Sequence, residues 1–300
     1  MIACIGGAHI DRRGLLGAPA VLGTSNPGHV HIDFGGVARN VGHNLAKLGC
    51  AVTLLSRVGD DASGQQVVRH AQSAGIDTTL FTISPTQSTA SYTAILESNG
   101  ELVIGLADMD IYDEMTPSLL AASLPRLRQD KFWFIDSNVP GPTIGWLLDQ
   151  ADGIPVAVDA ISVAKSRRLP VLLARIGVLF CNVAQAVIIA GMDDPRPTLV
   201  DAARRLRAAG ARSGVVSAGA RGIAIWAGND VQAFAALPAI PCDVTGAGDA
   251  LVSGTLFGLC QGQPLADAAR LGLAAAAITV ESEYAAPPEM SVEFLESRRG

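Results

Sequence analysis

The chain has 300 residues, with 22 Lys plus Arg against 28 Asp plus Glu and a formal net charge of −6. That balance leaves no broad basic field for a phosphate backbone, which speaks against nucleic acid as a partner. Charged residues are 17% and apolar residues 49% of the chain, a composition that excludes disorder and provides for a sizeable core.

The longest uncharged runs, 176–192 and 250–266, are broken by Asn182 and Gln185 and by Gln261, Gln263 and Pro264. Neither reads as a membrane span. Residues 1–10 place no basic stretch ahead of an apolar one, so the expectation is a cytoplasmic protein without a secretory signal or membrane contact. Cys4, Cys50, Cys181, Cys242 and Cys260 are odd in number and far apart. They read as reduced, mostly buried thiols rather than a disulfide framework or a zinc site.

In chain order, Met1 to Ile5 is a short apolar run stopped by Gly6 and Gly7, the form of a buried strand. Helical spacing from Val37 to Leu48 ends at Gly49; a strand is predicted at Ala51 to Leu55 and a helix at Ser63 to Ala74, ended by Gly75. This alternation is the mark of a mainly parallel sheet covered by helices. Between Leu80 and Ile111 the pattern changes to two strand-like runs, Ser88 to Leu96 and Glu101 to Leu106, joined by the hairpin signal Ser98-Asn99-Gly100. With Leu15 to Phe34, also lacking helical period, they predict a small β-sheet standing off the main domain. Further strands are predicted at Phe132 to Asp136, Pro155 to Asp159, Val178 to Cys181 and Gly214 to Ser217, with helices between them. Ala274 to Ala277 reads as close-packed helix. One α/β domain over 1–300 results, with lid insertions at about 12–34 and 81–112.

The strongest local signal is Asp243-Val244-Thr245-Gly246-Ala247-Gly248-Asp249, running directly into the apolar stretch from Ala250 to Cys260. Gly246 and Gly248 permit unusual backbone geometry and leave the first amides of a helix unobstructed, a site for an anion such as a phosphate in transfer. Asp249 sits beside it, where a carboxylate can take a proton from an attacking hydroxyl; the plainer alternative is a helix cap. Gly35-Gly36-Val37-Ala38-Arg39-Asn40 opens the first helix, with Asn40 able to bond sugar hydroxyls as donor and acceptor. Asp11 suits a pair of vicinal hydroxyls, or is a surface carboxylate. Ser217-Ala218-Gly219-Ala220-Arg221-Gly222 lies between two strands and suits either a nucleotide or a plain hairpin. No GxxxxGK[ST] and no GxGxxG opening a helix occurs. His29 and His31 lack a third ligand at a telling spacing and read as solvated lid residues.

Taken together, the double-glycine motif through Leu48-Gly49 and the segment from Asp243 to Asp249 resemble the two signatures of the ribokinase-like (PfkB) family of sugar and nucleoside kinases. The resemblance runs over essentially the whole chain. It implies a three-layer αβα fold with a β lid, transfer of a phosphoryl group from ATP with Mg²⁺ to a primary hydroxyl, and a K⁺ ion beside the anion hole in many members. Ser25-Asn26-Pro27-Gly28, Gly35 to Asn40, Ala107-Asp108-Met109-Asp110, Asp136-Ser137-Asn138 and Glu283-Tyr284 are most similar to the pseudouridine kinase branch of that family. Carried over by position, Asp249 is the implied base and the amides of Gly246, Ala247 and Gly248 the anion hole. Asp11, Gly36 and Asn40 would hold the ribose, and Asp108 and Asn138 would meet the base. Ser217, Gly219 and Gly222 would lie by the nucleotide, and Asp243 and Thr245 by the monovalent cation. Paired lids make a homodimer the expectation.

One departure stands out. The family's usual Asn-x-x-Glu, which helps organise Mg²⁺ and phosphate, is here Asn182-Val183-Ala184-Gln185, preceded by Phe180 and Cys181 in place of Lys-Pro. The missing charge leads to the expectation that Gln185→Glu lowers the Mg²⁺ requirement, unless Asp193 or Asp194 covers the role. The alternatives to a pseudouridine kinase are a kinase for another sugar or nucleoside, and a weakly catalytic sensor that binds its ligand.

Overall fold

The computed structural model describes residues 1–299. Its main sheet takes the strands β1 (Ile2–Ile5), β4 (Val52–Leu55), β9 (Phe132–Asp136), β10 (Val156–Asp159), β11 (Val178–Asn182), β12 (Ser213–Ser217), β13 (Ile223–Ala227) and β14 (Asp230–Phe234). Their order is β14-β13-β12-β11-β10-β9-β1-β4, parallel except at β13 and β14, which continue antiparallel at one edge. The lid is a four-stranded sheet of β2 (His9–Leu16), β3 (Gly28–Gly35), β7 (Ser91–Leu96) and β8 (Leu102–Asp108), in the order β3-β2-β7-β8. A third sheet pairs β5 (Arg57–Gly59) with β6 (Thr82–Ser84). Thus Thr82 to Ser84, inside the expected lid segment, pairs with β5 and not with the lid.

Side-chain alternation along the strands divides the core in two, as a sheet covered on both faces requires. Ile2, Cys4, Val52, Leu54, Phe132 and Phe134 point to one face, where α1 (Val37–Lys47), α2 (Ala62–Ser73), α9 (Ala247–Cys260), α10 (Leu265–Val280) and α11 (Val292–Ser297) pack. Ala3, Ile5, Leu55, Trp133 and Ile135 point to the other. That face is covered by α3 (Pro117–Leu120), α4 (Leu124–Leu127), α5 (Gly141–Gln150), α6 (Val163–Ser166), α7 (Val183–Ile189) and α8 (Leu199–Ala208). The result is the expected three-layer arrangement. No helix of the described residues is long and apolar enough to cross a membrane.

Two features aim the sheet at a site. The strands β9, β10, β11 and β12 are consecutive neighbours, and their last residues are Asp136, Asp159, Asn182 and Ser217. Behind them α9 is buried without interruption from Ala250 to Gly258, so its position is fixed by packing rather than by an amphipathic stripe. Its glycines let α10 approach closely: a Cβ on Gly254 would lie 2.6 Å from the Leu271 carbonyl oxygen, and one on Gly272 2.3 Å from Thr255 Oγ1. The start of α9 is therefore held rigidly against the strand ends.

In the lid, β2 follows β1 after only Gly6 to Ala8, and the register Asp11↔Asp33 and Asp11↔Tyr92 puts polar side chains on the inner face. The outer face carries Val30, Ile32, Ile104 and Leu106, all more than half exposed. The cysteines depart from expectation: Cys4 and Cys181 are buried and Cys50 is half-buried, but Cys242 and Cys260 are exposed because they fall on a loop and a helix end.

Candidate active site

The loop before α9 needs glycine for two reasons at Gly246. Its φ of 80° is left-handed, and a Cβ there would lie 2.6 Å from that of Ala285. Gly248 has nothing within 4 Å of its Cβ position, so the backbone of the first turn stands open to a ligand. Ala247 N–H donates to Val244 O at 3.3 Å, a long bond that leaves this amide weakly engaged. The acidic residue of this turn is Asp249, placed where the positive end of the helix favours negative charge.

A cavity of about 140 Å³ opens beside this turn, and Asp159, Asn182, Gln185, Ser217, Gly248 and Asp249 line it. Residues from the Asn182 to Gln185 segment, the Ser217 to Gly222 segment and the Asp243 to Asp249 segment thus converge although up to 67 positions separate them, as Asn182 and Asp249 show. Asp159 had no signal beyond being the last residue of a predicted strand. Burial pushes its carboxyl group up to about 7; an amide bond from Ile161 opposes the shift, and Asp249 and Asp136 add to it. Ile161 N–H donates to Asp159 Oδ1 at 2.6 Å with the Ile161 backbone at φ 56°, which is strained for a β-branched residue.

Burial also pushes Asp249 up to about 7. Asn40 Nδ2 donates to Asp249 Oδ2 at 2.6 Å and, with the charge of Arg39, pulls in the other direction, while Asp136 and Asp11 push it higher. The expected sugar residue Asn40 therefore meets the expected base directly. A Cβ on Gly36 would lie 2.2 Å from Gly7 O, so this glycine brings α1 against the end of β1. Asp11 projects over Gly35, with its Oδ1 3.3 Å from His9 Nε2, and His9 Nδ1 lies 3.2 Å from the Tyr112 hydroxyl. Asn138 is buried and accepts from Lys165 through its Oδ1. Asp108 is exposed at the end of β8, where it pairs with Ser91.

Of the remaining expected residues, Gly219, Gly222, Asp243 and Thr245 lie outside the cavity lining, whereas Asn182 and Gln185 belong to it. Gly219 (φ 57°) and Gly222 (φ 88°) form the turn between β12 and β13; a Cβ on Gly222 would lie 2.0 Å from Phe234 O, so close packing on β14 accounts for that glycine. Asp243 Oδ2 accepts from Arg13 of the lid at 2.9 Å and its Oδ1 accepts from Thr245 N–H at 2.8 Å. Gln185 and Asn182 form a reciprocal cap on α7: Asn182 N–H donates to Gln185 Oε1 at 2.8 Å and Gln185 N–H to Asn182 Oδ1 at 2.9 Å. Asp193 and Asp194 line a separate surface hollow with Arg204 and Arg205, and the carboxylates that share the cavity with Gln185 are Asp159 and Asp249.

The description "pfkB family carbohydrate kinase" matches residues 1–291. The chain belongs to the pfkB family. It is 29% identical to the pseudouridine kinase of Escherichia coli K12 over 97% of this chain and 94% of that protein. A carbohydrate kinase from Agrobacterium tumefaciens superposes with a TM-score of 0.88 at 38% identity, covering 100% of this chain and 96% of that one. At 18% identity the likeness is one of fold alone for Arabidopsis thaliana ribokinase, solved with ribose and ATP, at TM-score 0.89 over 99% and 98% of the two chains. This pfkB protein is a phosphotransferase that acts on a hydroxyl of a sugar or nucleoside.

The raised carboxyl groups have a stability consequence. A carboxyl group raised from 3.8 to about 7 on folding makes the native state bind the extra proton between those values. Stability from that source is lost as pH rises through this window. Asp249→Asn keeps the shape and removes the charge, so its melting temperature should exceed that of the unsubstituted protein by a few degrees at pH 8 and match it at pH 4.5. Thermal melts at both values check this, and equal melting at pH 8 would contradict the buried-charge account.

Proposed function

We propose that this chain transfers the terminal phosphoryl group of ATP to the 5′-hydroxyl of pseudouridine. The observation that carries the reading is the position of Asp249. It stands in the first turn of α9, bonded to Asn40 and open to the cavity, beside backbone amides suited to an anion. With its affinity for protons raised to about 7, Asp249 is matched to take the proton of an attacking hydroxyl near neutrality. The amides of Gly246, Ala247 and Gly248 stabilise the charge that develops on the transferring group. Asp11, Gly36 and Asn40 hold the ribose so that its hydroxyl faces Asp249, with Asn138 and Asp108 toward the base. Ser217 meets the nucleotide, with the Gly219 to Gly222 turn alongside. The likeness to the Escherichia coli pseudouridine kinase over nearly the full length of both chains supports the choice of acceptor.

The cavity's donors are hard oxygens, which fit a hydrated Mg²⁺. Asp159 and Asn182 would hold it, and it would supply neutralising charge to the triphosphate. Asp243 is less suited to a monovalent cation, because the guanidinium of Arg13 against its Oδ2 already compensates its charge. No step is assigned to K⁺. A carboxylate, that of Asp159, lines the same cavity as Gln185, which supports an active kinase over a weakly catalytic sensor.

The acceptor is tested by incubating the protein with ATP, Mg²⁺ and pseudouridine, uridine, adenosine, ribose or fructose. Pseudouridine should have the highest kcat/KM, and faster turnover of ribose would replace this reading with a sugar kinase. Asp249→Asn should retain binding and lose about 10²- to 10⁴-fold in kcat. Retention of more than about a tenth of the rate would contradict its role.

Mg²⁺ titrations separate the two candidate metal residues. Asp159→Asn should raise the Mg²⁺ concentration for half-maximal rate several-fold. Gln185→Glu should leave it nearly unchanged, because the side-chain oxygen at this position caps α7. The reverse outcome would return the metal role to position 185.

The outer face of the lid is the remaining part of the proposal. Val30, Ile32, Ile104 and Leu106 form an apolar patch on a sheet of this chain, and a second copy offers the same patch for an isologous interface. Light scattering should give a dimer, and Ile32→Lys with Leu106→Lys a monomer. A monomeric unsubstituted protein at micromolar concentration would remove the proposal.

A further inference from the structure

Arg39 lies inside the double-glycine motif, and neither the anion site nor the sugar site accounts for it. It is 3% exposed, and its guanidinium makes no contact with a carboxylate among its hydrogen-bond partners. Nε donates to Gly35 O at 3.1 Å, and Nη2 donates to both Phe34 O and Asn40 Oδ1. Nη1 lies 3.4 Å from His70 Nδ1. His70 stacks on Phe34 at 4.0 Å and His43 meets it edge-on at 5.6 Å. A buried cation without a contacting counter-ion is costly, and packing alone would favour an apolar residue here.

The partner that connects Arg39 to the chemistry is Asn40. A carboxamide has one oxygen and one nitrogen, and both are engaged: Oδ1 by Arg39, Nδ2 by Asp249 at 2.6 Å. A guanidinium only donates and a carboxylate only accepts, so the two ends of this chain of bonds dictate a single orientation of the amide.

We propose that Arg39 is a positioning residue for phosphoryl transfer, whose guanidinium holds the Asn40 carboxamide by its oxygen so that the amide nitrogen is presented to Asp249. The proposal rests on Asp249 as the proton acceptor. Two consequences follow from the geometry. Asn40 keeps Asp249 aimed at the hydroxyl, and the buried positive charge one residue away opposes protonation of Asp249 before the hydroxyl arrives. The groups that act on Asp249 come from every neighbouring element: Arg39 and Asn40 on α1, Asp11 on β2, Asp136 at the end of β9 and Asp159 at the end of β10. Four of these five are acidic or neutral, and Arg39 is the cation. Desolvation and the charge of Arg39 together push His43 down to about 3 and His70 down to about 4, so neither histidine substitutes for it near neutrality.

The test uses Arg39→Met, Arg39→Lys and Asn40→Ala, with Arg39→Gln as a second neutral variant should the methionine variant fold poorly. Carboxyl carbon-13 resonances, with Asp249 assigned by its loss in Asp249→Asn, report the midpoint of Asp249 without any turnover. Arg39→Met should raise that midpoint by about half to one pH unit, and Arg39→Lys should leave it within a few tenths. In kinetics, Arg39→Met should lower kcat about 10- to 100-fold with less than a threefold change in the acceptor KM. Asn40→Ala should cost at least tenfold in the unsubstituted background and less than about threefold in Arg39→Met, because its partner is already lost. An unmoved Asp249 midpoint in a folded neutral variant, or fully additive losses, would overturn the proposal. If no acceptor in the panel is turned over, the proposed function fails, and the resonance measurement still decides for or against Arg39.

Discussion

The site depends on one buried carboxyl group, that of Asp136. It has no exposed surface and accepts three backbone amides: Gly7 at 2.8 Å and Ala38 at 2.8 Å on Oδ2, and Asn138 at 2.9 Å on Oδ1. These amides belong to the end of β1, the first turn of α1 and the loop after β9. Bonds to a charged acceptor are roughly twice as strong as neutral ones, and three amides replace the water that the group lost on burial. The side chain takes the space over Gly6, where a Cβ would lie 2.2 Å from it. The placement of Asn40, Arg39, Asn138 and, through the short link to β2, Asp11 follows from this knot.

Electrostatically the site works against itself. Asp11, Asp136, Asp159 and Asp249 surround one cleft, and burial pushes two of them to about 7. A fold selected only for stability would not collect these charges. The positive end of α9 and the guanidinium of Arg39 offset part of the repulsion, and the uncompensated remainder marks the cleft as a place for chemistry rather than for stability.

Much of this was legible in the sequence. The strand Phe132 to Asp136 was predicted to the residue, and the helices beginning at Val37 and Ala62 to within one or two positions, because apolar period and terminal glycines mark them plainly. The two glycine-rich turns were legible as places where the backbone needs glycine, and the contacts at Gly36 and Gly246 give the steric cause. What escaped was pairwise. Asp159 is one more polar residue at a strand end until β11 and α9 are placed beside it, and the contact of Arg13 with Asp243 spans 230 positions. The surroundings of Gln185 escaped for a related reason: a charge deficit is visible in one dimension, whereas the reciprocal cap with Asn182 and the cavity shared with Asp159 are visible only in three. Thr82 to Ser84 went to β5 because a three-residue strand carries too little pattern to declare its partner.

Asp136, Asp159, Asn182 and Ser217 terminate four adjacent strands spaced roughly 4.8 Å apart, like teeth on a comb. Each tooth is the final residue of its strand and lies beyond the apolar alternation below it; Asp136 is tied into the backbone by its three amides, whereas Asp159, Asn182 and Ser217 line the cavity. Chemistry and core are thereby carried by separate letters of the same strand. Such a scaffold can retune the cavity through Asp159, Asn182 and Ser217 while the apolar interior of the same strands drifts independently.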